Sequence, residues 1–456
     1  LADYQRTQRL LLEVPSPVVR SISRSMPAQY DKAQALFQAL VRAGRTLMTE
    51  PESKQLLGFF GIPTPQTVIA TTAREAVAAA KSVGFPVALK ILSPDIAHKS
   101  DVGGVRLSIR DAAGIETEFN ALLDAVEKLR PDARITGIAV QPMVQKRFGR
   151  EASVGVATDA VVGPVIRFGA GGVAVELLAD YAVGLPPLSV RLAEEMIDRT
   201  RIAKLLRAYR HIPAADQHAL VDVLLAVSAM VIHCPWLQEL DINPLLVDGE
   251  GAVALDARVI IDPARPTADA RYSHMAIHPY PDRLERREVL DDGTELLVRP
   301  IRPEDAQMEL AFVEHLSDQS RYFRFFSAQH TLSPKMLARL TQVDYDHELA
   351  LIAVRERDHV EEIVGVARYM PLADGKSCEF AVTVADALHG RGLGTLLMRR
   401  LVDAARDTGF AMMVGEILAS NEKMLQLARG LGFALQPHAE DRQVVQARLA
   451  LRAAGP

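Results

Sequence analysis

Three glycines alternate with larger residues in His389-Gly-Arg-Gly-Leu-Gly394, and a β-branched segment runs into them from Glu379. Gly390, Gly392 and Gly394 let the backbone approach a ligand closely, and exposed N–H groups at the start of a following helix favour a pyrophosphate anion. A tight strand-to-helix turn without a ligand would use the same residues. A dinucleotide fold would place this loop after its first strand, with an acidic residue about 20 positions on; here several strands precede it. Glu379, on the strand leading to the loop, is a candidate general base. Any reaction that uses a lysine amine as nucleophile needs one, because a free lysine with pKa about 10.4 is less than roughly 0.1% neutral at pH 7. A solvated strand-face carboxylate would look the same, and Glu416 is the next candidate. Cys378 flanks Glu379 on the opposite strand face and reads as core rather than nucleophile.

A second group of residues lies in the first half. Lys90 ends an apolar run, Pro86 to Ile91, and burying its ammonium costs energy unless an anion meets it. The segment from Ser93 to Val105 follows, containing His98-Lys-Ser-Asp-Val-Gly-Gly104. Further on, Phe168-Gly-Ala-Gly-Gly172 leads to Glu176, a flexible loop joined to a carboxylate. Asp241 and Asn243 stand at alternate positions of an extended segment, so both oxygens share a face. Two such oxygens plus nucleotide phosphates suit Mg²⁺, which takes few protein carboxylates. The same Asp-x-Asn-Pro pattern is also a common turn, and a lone histidine is most often a satisfied surface or core residue.

The elements that must hold these groups follow from caps and periodicity. Thr49-Glu-Pro-Glu52 offers a capping box that starts a helix ending at Gly61, and a second helix spans Thr72 to Val83 with Gly84 as its stop. Pro86 to Ile91, Gly137 to Gln141, Ala152 to Thr158, Pro164 to Phe168 and Ala252 to Ile261 read as strands; Glu116 to Leu129 and Val190 to Arg207 read as helices. Leu220 to Ile232 is a core helix, too short for the roughly 20 residues of a bilayer span. Residues 263–287 hold Pro263, Pro266, Pro279 and Pro281, a linker composition. Beyond them come strands at Glu295 to Arg299, Leu349 to Val354, Ile363 to Met370 and Cys378 to Val384, then a helix from Gly392 to Thr408. The fold class expected is α/β and α+β multidomain: residues 1–30 as the tail of a domain upstream of Leu1, 31–262 as a first domain, 263–287 as linker and 288–452 as a second.

With 456 residues, 49% hydrophobic and 24% charged, the chain has the composition of a folded globular protein. A net charge of −5 provides no basic field for nucleic acid or an anionic membrane. Cys234 and Cys378, the only two cysteines, sit apart in apolar segments, as buried thiols do in a reducing cytoplasm.

The C-terminal segment resembles the GNAT superfamily of N-acyltransferases, whose acyl-CoA loop reads Gln/Arg-x-x-Gly-x-Gly/Ala; His389 replaces the usual first residue. The segments Glu416 to Met424 and Gly430 to Phe433 also match, and the region around Glu379 is similar to bacterial protein lysine acetyltransferases of the Pat type. The resemblance implies acetyl-CoA contacts at Arg391, Gly392, Gly394, Thr395 and Asn421, with Glu379 as base and the thioester oxyanion held by backbone N–H groups near Val382 and Val384. Asn421 would equally serve as an ordinary helix N-cap. Residues 31–262 resemble the ATP-grasp domain of ADP-forming acyl-CoA synthetases. That resemblance implies ATP or ADP as ligand with Lys90 on its phosphates, Mg²⁺ at Asp241, Asn243 and Asp256, Glu176 beside the transferred phosphate, and His98 as a phosphorylated histidine. Pro142 departs from the glutamate usual in the family's adenine hinge. The implied activity is acetylation of lysine on a partner protein, an acyl-CoA synthetase by family precedent. The alternatives are an ADP-forming acetate–CoA ligase subunit with an accessory GNAT domain, and a non-catalytic sensor of nucleotide or acyl-CoA. A homo-oligomer is compatible with the sequence but not required by it.

Overall fold

The structure, a computed structural model, describes residues 27–451 apart from 97–98, 173–179, 266–271, 327–331 and 358–359. It divides into two compact units that meet in sequence between Ile277 and His278, each taken here by itself.

The first unit opens with helices α1 (Pro27–Arg42) and α2 (Glu50–Phe59). At the start of α2 the Glu52 carboxylate accepts from the Thr49 N–H at 2.7 Å and from its hydroxyl at 2.8 Å, so this end is anchored where the sequence predicts. Next come β1 (Val68–Ala70), α3 (Ala73–Val83), β2 (Val87–Leu92), β3 (Val105–Ile109), α4 (Ala112–Leu129) and β4 (Gly137–Pro142). They form an antiparallel sheet in the order β1-β4-β2-β3. The Thr72 hydroxyl caps α3 by accepting from Glu75 N at 3.2 Å, and Gly84 ends it at φ +90°. Ala76 and Ala80 of α3 and Ile115, Phe119 and Leu122 of α4 pack with Leu89 and Ile91 into one core.

A second sheet holds β5 (Arg150–Asp159), β6 (Gly163–Ala170), β7 (Tyr181–Gly184), β8 (Leu237–Asp248), β9 (Gly251–Ala254) and β10 (Ala257–Ile261). Its order is β10-β8-β5-β6-β7, with β9 also on β8. Helices α5 (Val190–Asp198), α6 (Ile202–Leu206) and α7 (Gln217–His233) belong to this layer. Twelve residues of α7 are buried, from Leu220 to Ile232, which makes it the core helix expected. Two expectations change. The single helix Val190 to Arg207 is broken, because the Asp180 carboxylate accepts from Arg201 N at 2.7 Å and Ile202 N at 2.9 Å and so starts α6 afresh. The single strand Ala252 to Ile261 is broken at Leu255 and Asp256, where the Leu255 N–H turns to Pro244 O at 3.0 Å.

The second unit is one eight-stranded sheet in the order β11-β12-β13-β14-β15-β16-β18-β17. Its strands are β11 (Arg286–Val289), β12 (Glu295–Pro300), β13 (Leu349–Arg357), β14 (Val360–Pro371), β15 (Ser377–Val384), β16 (Met412–Leu418), β17 (Ala434–Pro437) and β18 (Val444–Ala450). Every pair is antiparallel except β15 with β16. That parallel pair requires a crossover, supplied by α11 (Leu393–Thr408). Leu393, Leu397 and Leu401 recur every four residues and bury on one sheet face, each contributing about 1.5–3 kcal/mol. Gly365 makes room for them: a Cβ there would stand 2.9 Å from Leu397 Cδ1. Helix α12 (Glu422–Gly430) shares this face, while α8 (Ala306–His315), α9 (Asp318–Phe325) and α10 (Pro334–Thr341) belong to the other.

Candidate active site

In the second unit the chemistry-bearing residues gather where the sheet opens. Strands β15 and β16 pair only at Ser377↔Met412, Cys378↔Met413 and Glu379↔Val414. Past that point the ring of Phe380 lies over Gly415, where a Cβ would meet it at 2.5 Å, and leans on Phe433 with centroids 5.0 Å apart. Alternation along β15 places Glu379, Ala381 and Thr383 on one face and Cys378, Phe380, Val382 and Val384 on the other. Glu379 is exposed, yet partial burial raises its pKa above the usual carboxylate range; Glu416 adds to the rise and Arg324 opposes it. Glu416 in turn has the imidazole Nε2 of His438 3.6 Å from its carboxylate. Cys378 is fully buried and its thiol is pushed up to about 12 by that burial, so it is core, not a nucleophile.

The glycine loop is open above. Gly390 and Gly392 adopt φ +76° and +87°, and a Cβ at either would meet nothing within 4 Å. Gly392 is the residue at which α11 begins, so the first N–H groups of the helix are presented there. At Gly394, by contrast, a Cβ would come into ordinary contact with Leu427 at 3.6 Å and Val384 at 3.7 Å. Arg391 donates to Asp292 at 2.7 Å and keeps half of its side chain exposed beside the loop. Thr395 follows in the first turn of α11, part-buried. His389, the departure from the family pattern, ties the loop down through a 3.0 Å contact from Nε2 to Val384 O. Asp386 accepts from Ser317 N and Oγ at 2.8 Å and from Ser320 Oγ at 2.6 Å, fastening the loop to the start of α9. Asn421 caps α12, its Oδ1 accepting from Met424 N at 3.1 Å, which leaves its amide nitrogen as the group to meet a ligand.

In the first unit Lys90 is the fourth of six buried residues in β2, which runs on past Ile91 to Leu92. Its Nζ donates to Glu50 at 2.8 Å and to Leu255 O at 3.1 Å. Glu50, with a fully buried side chain, also receives Lys54 at 2.7 Å and Lys99 at 2.6 Å. Burial alone would push the Glu50 carboxyl up, but Lys90, Lys99 and Lys54 outweigh it and hold it far below the usual range. Asp256, in the break between β9 and β10, faces Lys99 at 3.5 Å and Lys90 at 3.7 Å. Lys54 also donates to the Gln141 carboxamide at 2.5 Å, next to Pro142, which as proline has no N–H to offer a base.

Asp241 and Asn243 share a face of β8, as alternation predicts, with the buried Ile242 between them. Asn243 Oδ1 accepts from Gly172 N at 2.8 Å, so it also holds the glycine loop, and Asp241 lies 3.9 Å from Arg167. Among the described residues no three His, Cys, Asp or Glu side chains converge on one point. Asp241, Asn243 and Asp256 therefore fit Mg²⁺ only as a partial shell completed by phosphate oxygens, which is how Mg²⁺ is usually held. His98 and Glu176 lie outside the described residues.

Sequence reasoning missed Glu50, Lys54 and Lys99 as one cluster, and missed the buried pair of Glu309 and Arg368, 3.9 Å apart, in the second unit. Glu50 sits in the first turn of α2, where an acidic residue is ordinary and an i,i+4 pair with Lys54 reads as a surface pair, and its other two partners are 40 and 49 positions away. The signal present was three lysines near an apolar strand with no obvious anion.

Two nucleotide- or CoA-directed units in tandem define the class: an ATP-grasp domain, which residues 39–261 match, and an acetyltransferase of the GNAT family, which residues 312–433 match. The β subunit of the ADP-forming acetate–CoA ligase II of Pyrococcus furiosus is 38% identical over 233 residues, 50% of this chain and 98% of that subunit. An acetyltransferase of Pseudomonas aeruginosa is 40% identical over 164 residues, 36% of this chain and 88% of that protein. The single-chain ADP-forming acetate–CoA ligase I of Archaeoglobus fulgidus is 38% identical over 231 residues, 51% of this chain but only 33% of that enzyme. The chain belongs to the ADP-forming acetate–CoA ligase β-subunit family through its first unit and to the GNAT acetyltransferase family through its second. Acetyl-CoA and ATP or ADP with Mg²⁺, the cofactors expected from the sequence, are those of these two families. No helix among the described residues is long and apolar enough to cross a membrane.

Proposed function

We propose that the second unit transfers an acetyl group from acetyl-CoA to the side-chain amine of a lysine on another protein, with an acyl-CoA synthetase as the acceptor by family precedent. The observation that carries this reading is Glu379: a carboxylate of weakened acidity at the point where β15 and β16 part, on the strand that leads to an open glycine loop. Glu379 takes a proton from the lysine ammonium, directly or through a water. The neutral nitrogen attacks the thioester carbonyl carbon, and backbone N–H groups near Val382 to Val384 stabilise the oxyanion. The carbon–sulfur bond then breaks, CoA leaves as the thiolate and takes up a proton, and no acyl-enzyme forms. Arg391, Gly392, Gly394, Thr395 and Asn421 bind the cofactor.

In the first unit Lys90 and its neighbours receive the phosphates of ATP or ADP, with Glu176, Asp241, Asn243 and Asp256 on the acidic side; bound Mg²⁺ would neutralise phosphate charge there. This unit is regulatory or partly active. Mass spectrometry of candidate acyl-CoA synthetases after incubation with acetyl-CoA, with and without ATP, tests the proposal. Acetyl-lysine should accumulate with the wild type and not with Glu379→Gln; its absence on every partner sinks the reading.

A second reading, phosphoryl transfer from ATP to His98 as in an ADP-forming ligase, is favoured by the near-complete match to the Pyrococcus β subunit. Acid-labile labelling by radioactive ATP that His98→Ala abolishes would support it.

A further inference from the structure

The three lysines around Glu50 do not share it equally. A lysine ammonium carries three donors. Lys54 uses all of its own, on Glu50 Oε1 at 2.7 Å, the Gln141 carboxamide at 2.5 Å and Thr67 Oγ1 at 3.5 Å. Lys90 uses two, on Glu50 Oε1 at 2.8 Å and Leu255 O at 3.1 Å. Lys99 makes one short bond, to Glu50 Oε2 at 2.6 Å, and reaches Asp256 Oδ1 only at 3.5 Å. Among the described residues, Lys90 and Lys99 therefore each keep a donor that no short contact uses. Both face one carboxylate: Lys99 stands 3.5 Å from Oδ1 of Asp256 and Lys90 3.7 Å from its Oδ2. These distances lie at and beyond the limit of a hydrogen bond, and Asp256 Oδ1 accepts instead from Ala257 N at 2.8 Å. Charge points the same way. Three ammonium groups meet two carboxylates, Glu50 and Asp256, so one positive charge is uncompensated among the described residues. Exposure rises outward, from none at the Glu50 side chain through 8% at Lys90 and 15% at Lys99 to 33% at Asp256.

We propose that Lys99 is a second phosphate-binding residue of the first unit: with Lys90 it forms a two-ammonium clamp for one phosphate group of the nucleotide, and the buried Glu50 carboxylate holds both ammonium groups in place. The inference rests on the reading of Lys90 as a nucleotide-phosphate residue and adds to it a residue from the turn before β3. That turn is fixed against β2. The Lys99 carbonyl accepts from Gly104 N at 2.7 Å, and Gly104 O accepts from Ile91 N at 2.8 Å. A Cβ at Gly104 would stand 2.6 Å from Ile91 Cγ2, so only glycine lets the turn lie this close. Both ammonium groups are thus set in position before a ligand arrives, which lowers the ordering cost of binding it. A phosphate entering past Asp256, on the exposed side, takes the two unused donors and supplies the missing negative charge. Hydrogen bonds of this charge-assisted kind are the strong ones. Asp256, which neither lysine binds closely, stays available to Mg²⁺.

The test is calorimetric titration of the full chain with ADP and Mg²⁺ for the wild type, Lys99→Met, Lys99→Arg and Lys90→Met, with Trp236 fluorescence on heating to show that the first unit is folded. Lys99→Met removes the charge and keeps the length of the side chain. It should weaken ADP binding by about 10- to 100-fold, the equivalent of one hydrogen bond to a charged group, and Lys99→Arg should recover most of the loss. The unsubstituted chain supplies a readout that a packing role would not move: acetic anhydride should modify Lys99 more slowly once ADP and Mg²⁺ are bound, as read by peptide mass spectrometry. Wild-type ADP affinity in folded Lys99→Met, alongside a weakened Lys90→Met, makes Lys99 only a partner of Glu50 and overturns the proposal. An affinity loss without protection of Lys99 also overturns it, as the mark of a distorted site. If Lys99→Met does not fold, protection in the unsubstituted chain decides, and an unchanged rate of modification counts against the clamp. If Lys90→Met too keeps full affinity, or the wild type binds no ADP, the phosphate reading of Lys90 has itself failed and the clamp falls with it.

Discussion

Replacing Glu50 by glutamine removes one carboxylate from the centre of three ammonium groups while keeping the shape of the side chain. In the wild type Lys54, Lys90 and Lys99 each donate to it within 2.8 Å, and none of its side chain reaches solvent. After Glu50→Gln only Asp256 among the described residues, 3.5 and 3.7 Å from two of the lysines, opposes the three positive charges. Removing one partner of a buried ion pair costs about 3–5 kcal/mol, and here three pairs share the missing charge, so the upper part of that range applies. For a unit of this size 1 kcal/mol moves the melting temperature by about 2–4 °C, so about 4–5 kcal/mol gives a loss of about 8–20 °C. The assay is selective: Trp236, the only tryptophan, is fully buried in the first unit, so its fluorescence during heating follows that unit alone. The pH dependence has a definite sign. The folded Glu50 carboxyl titrates below the unfolded one, so its stabilisation is fully present above the unfolded value of about 4.3 and is lost as pH falls toward the folded value. Wild type and mutant should therefore differ most near neutrality and converge below about pH 4. A mutant that melts within about 2 °C of the wild type at pH 7 would falsify the idea that Glu50 holds the lysines together.

The other predictions concern ligands and rate. Glu379→Gln should lower the acetyl-transfer rate at neutral pH by about 10²- to 10⁴-fold with little change in acetyl-CoA affinity, and its residual rate should rise with pH as the acceptor amine becomes neutral; steady-state kinetics across pH checks both. Gly392→Asp should abolish CoA binding in calorimetry, since it adds negative charge to the cradle, whereas Gly392→Ala should bear only the roughly 1–2 kcal/mol conformational cost of a side chain at this positive φ. Lys90→Ala should weaken ADP binding in the first unit and leave acetyl transfer in the absence of nucleotide largely intact; unchanged nucleotide affinity would remove Lys90 from the phosphate site.

Elements whose ends are set locally were legible in the sequence. Thr72 and Gly84 bound α3 because a cap and a stop act within one turn, and Glu52 meets Thr49 three positions away. Elements whose ends are set from a distance were not. Asp180 starts α6 from 21 positions upstream, so the run Val190 to Arg207 carries no local mark of its break. The same holds for the sites. The glycines at 390, 392 and 394, the alternation of Asp241 with Asn243 and the strand position of Glu379 are visible in short windows. Glu50 is not, since it acquires its meaning from charges on other elements, Lys90 and Lys99. Spacing along the chain encodes which residues share a face, but which faces then enclose a charge is decided by packing between distant segments.

The three-residue ladder between β15 and β16 makes the eight-stranded sheet two plates, five strands and three, joined along a short seam. Beyond Glu379 and Val414 the facing borders of the plates present peptide N–H and C=O groups that do not pair with one another. Exposed borders of this kind ordinarily recruit another polypeptide and lead to aggregation. Just past the seam the Phe380 ring is seated over Gly415, in the space a side chain there would need. The slot left between the plates suits a slender, amide-bearing molecule that can bond to both borders as an added strand would. The start of that slot is thus marked by one aromatic ring and by the absence of a single methyl group opposite it.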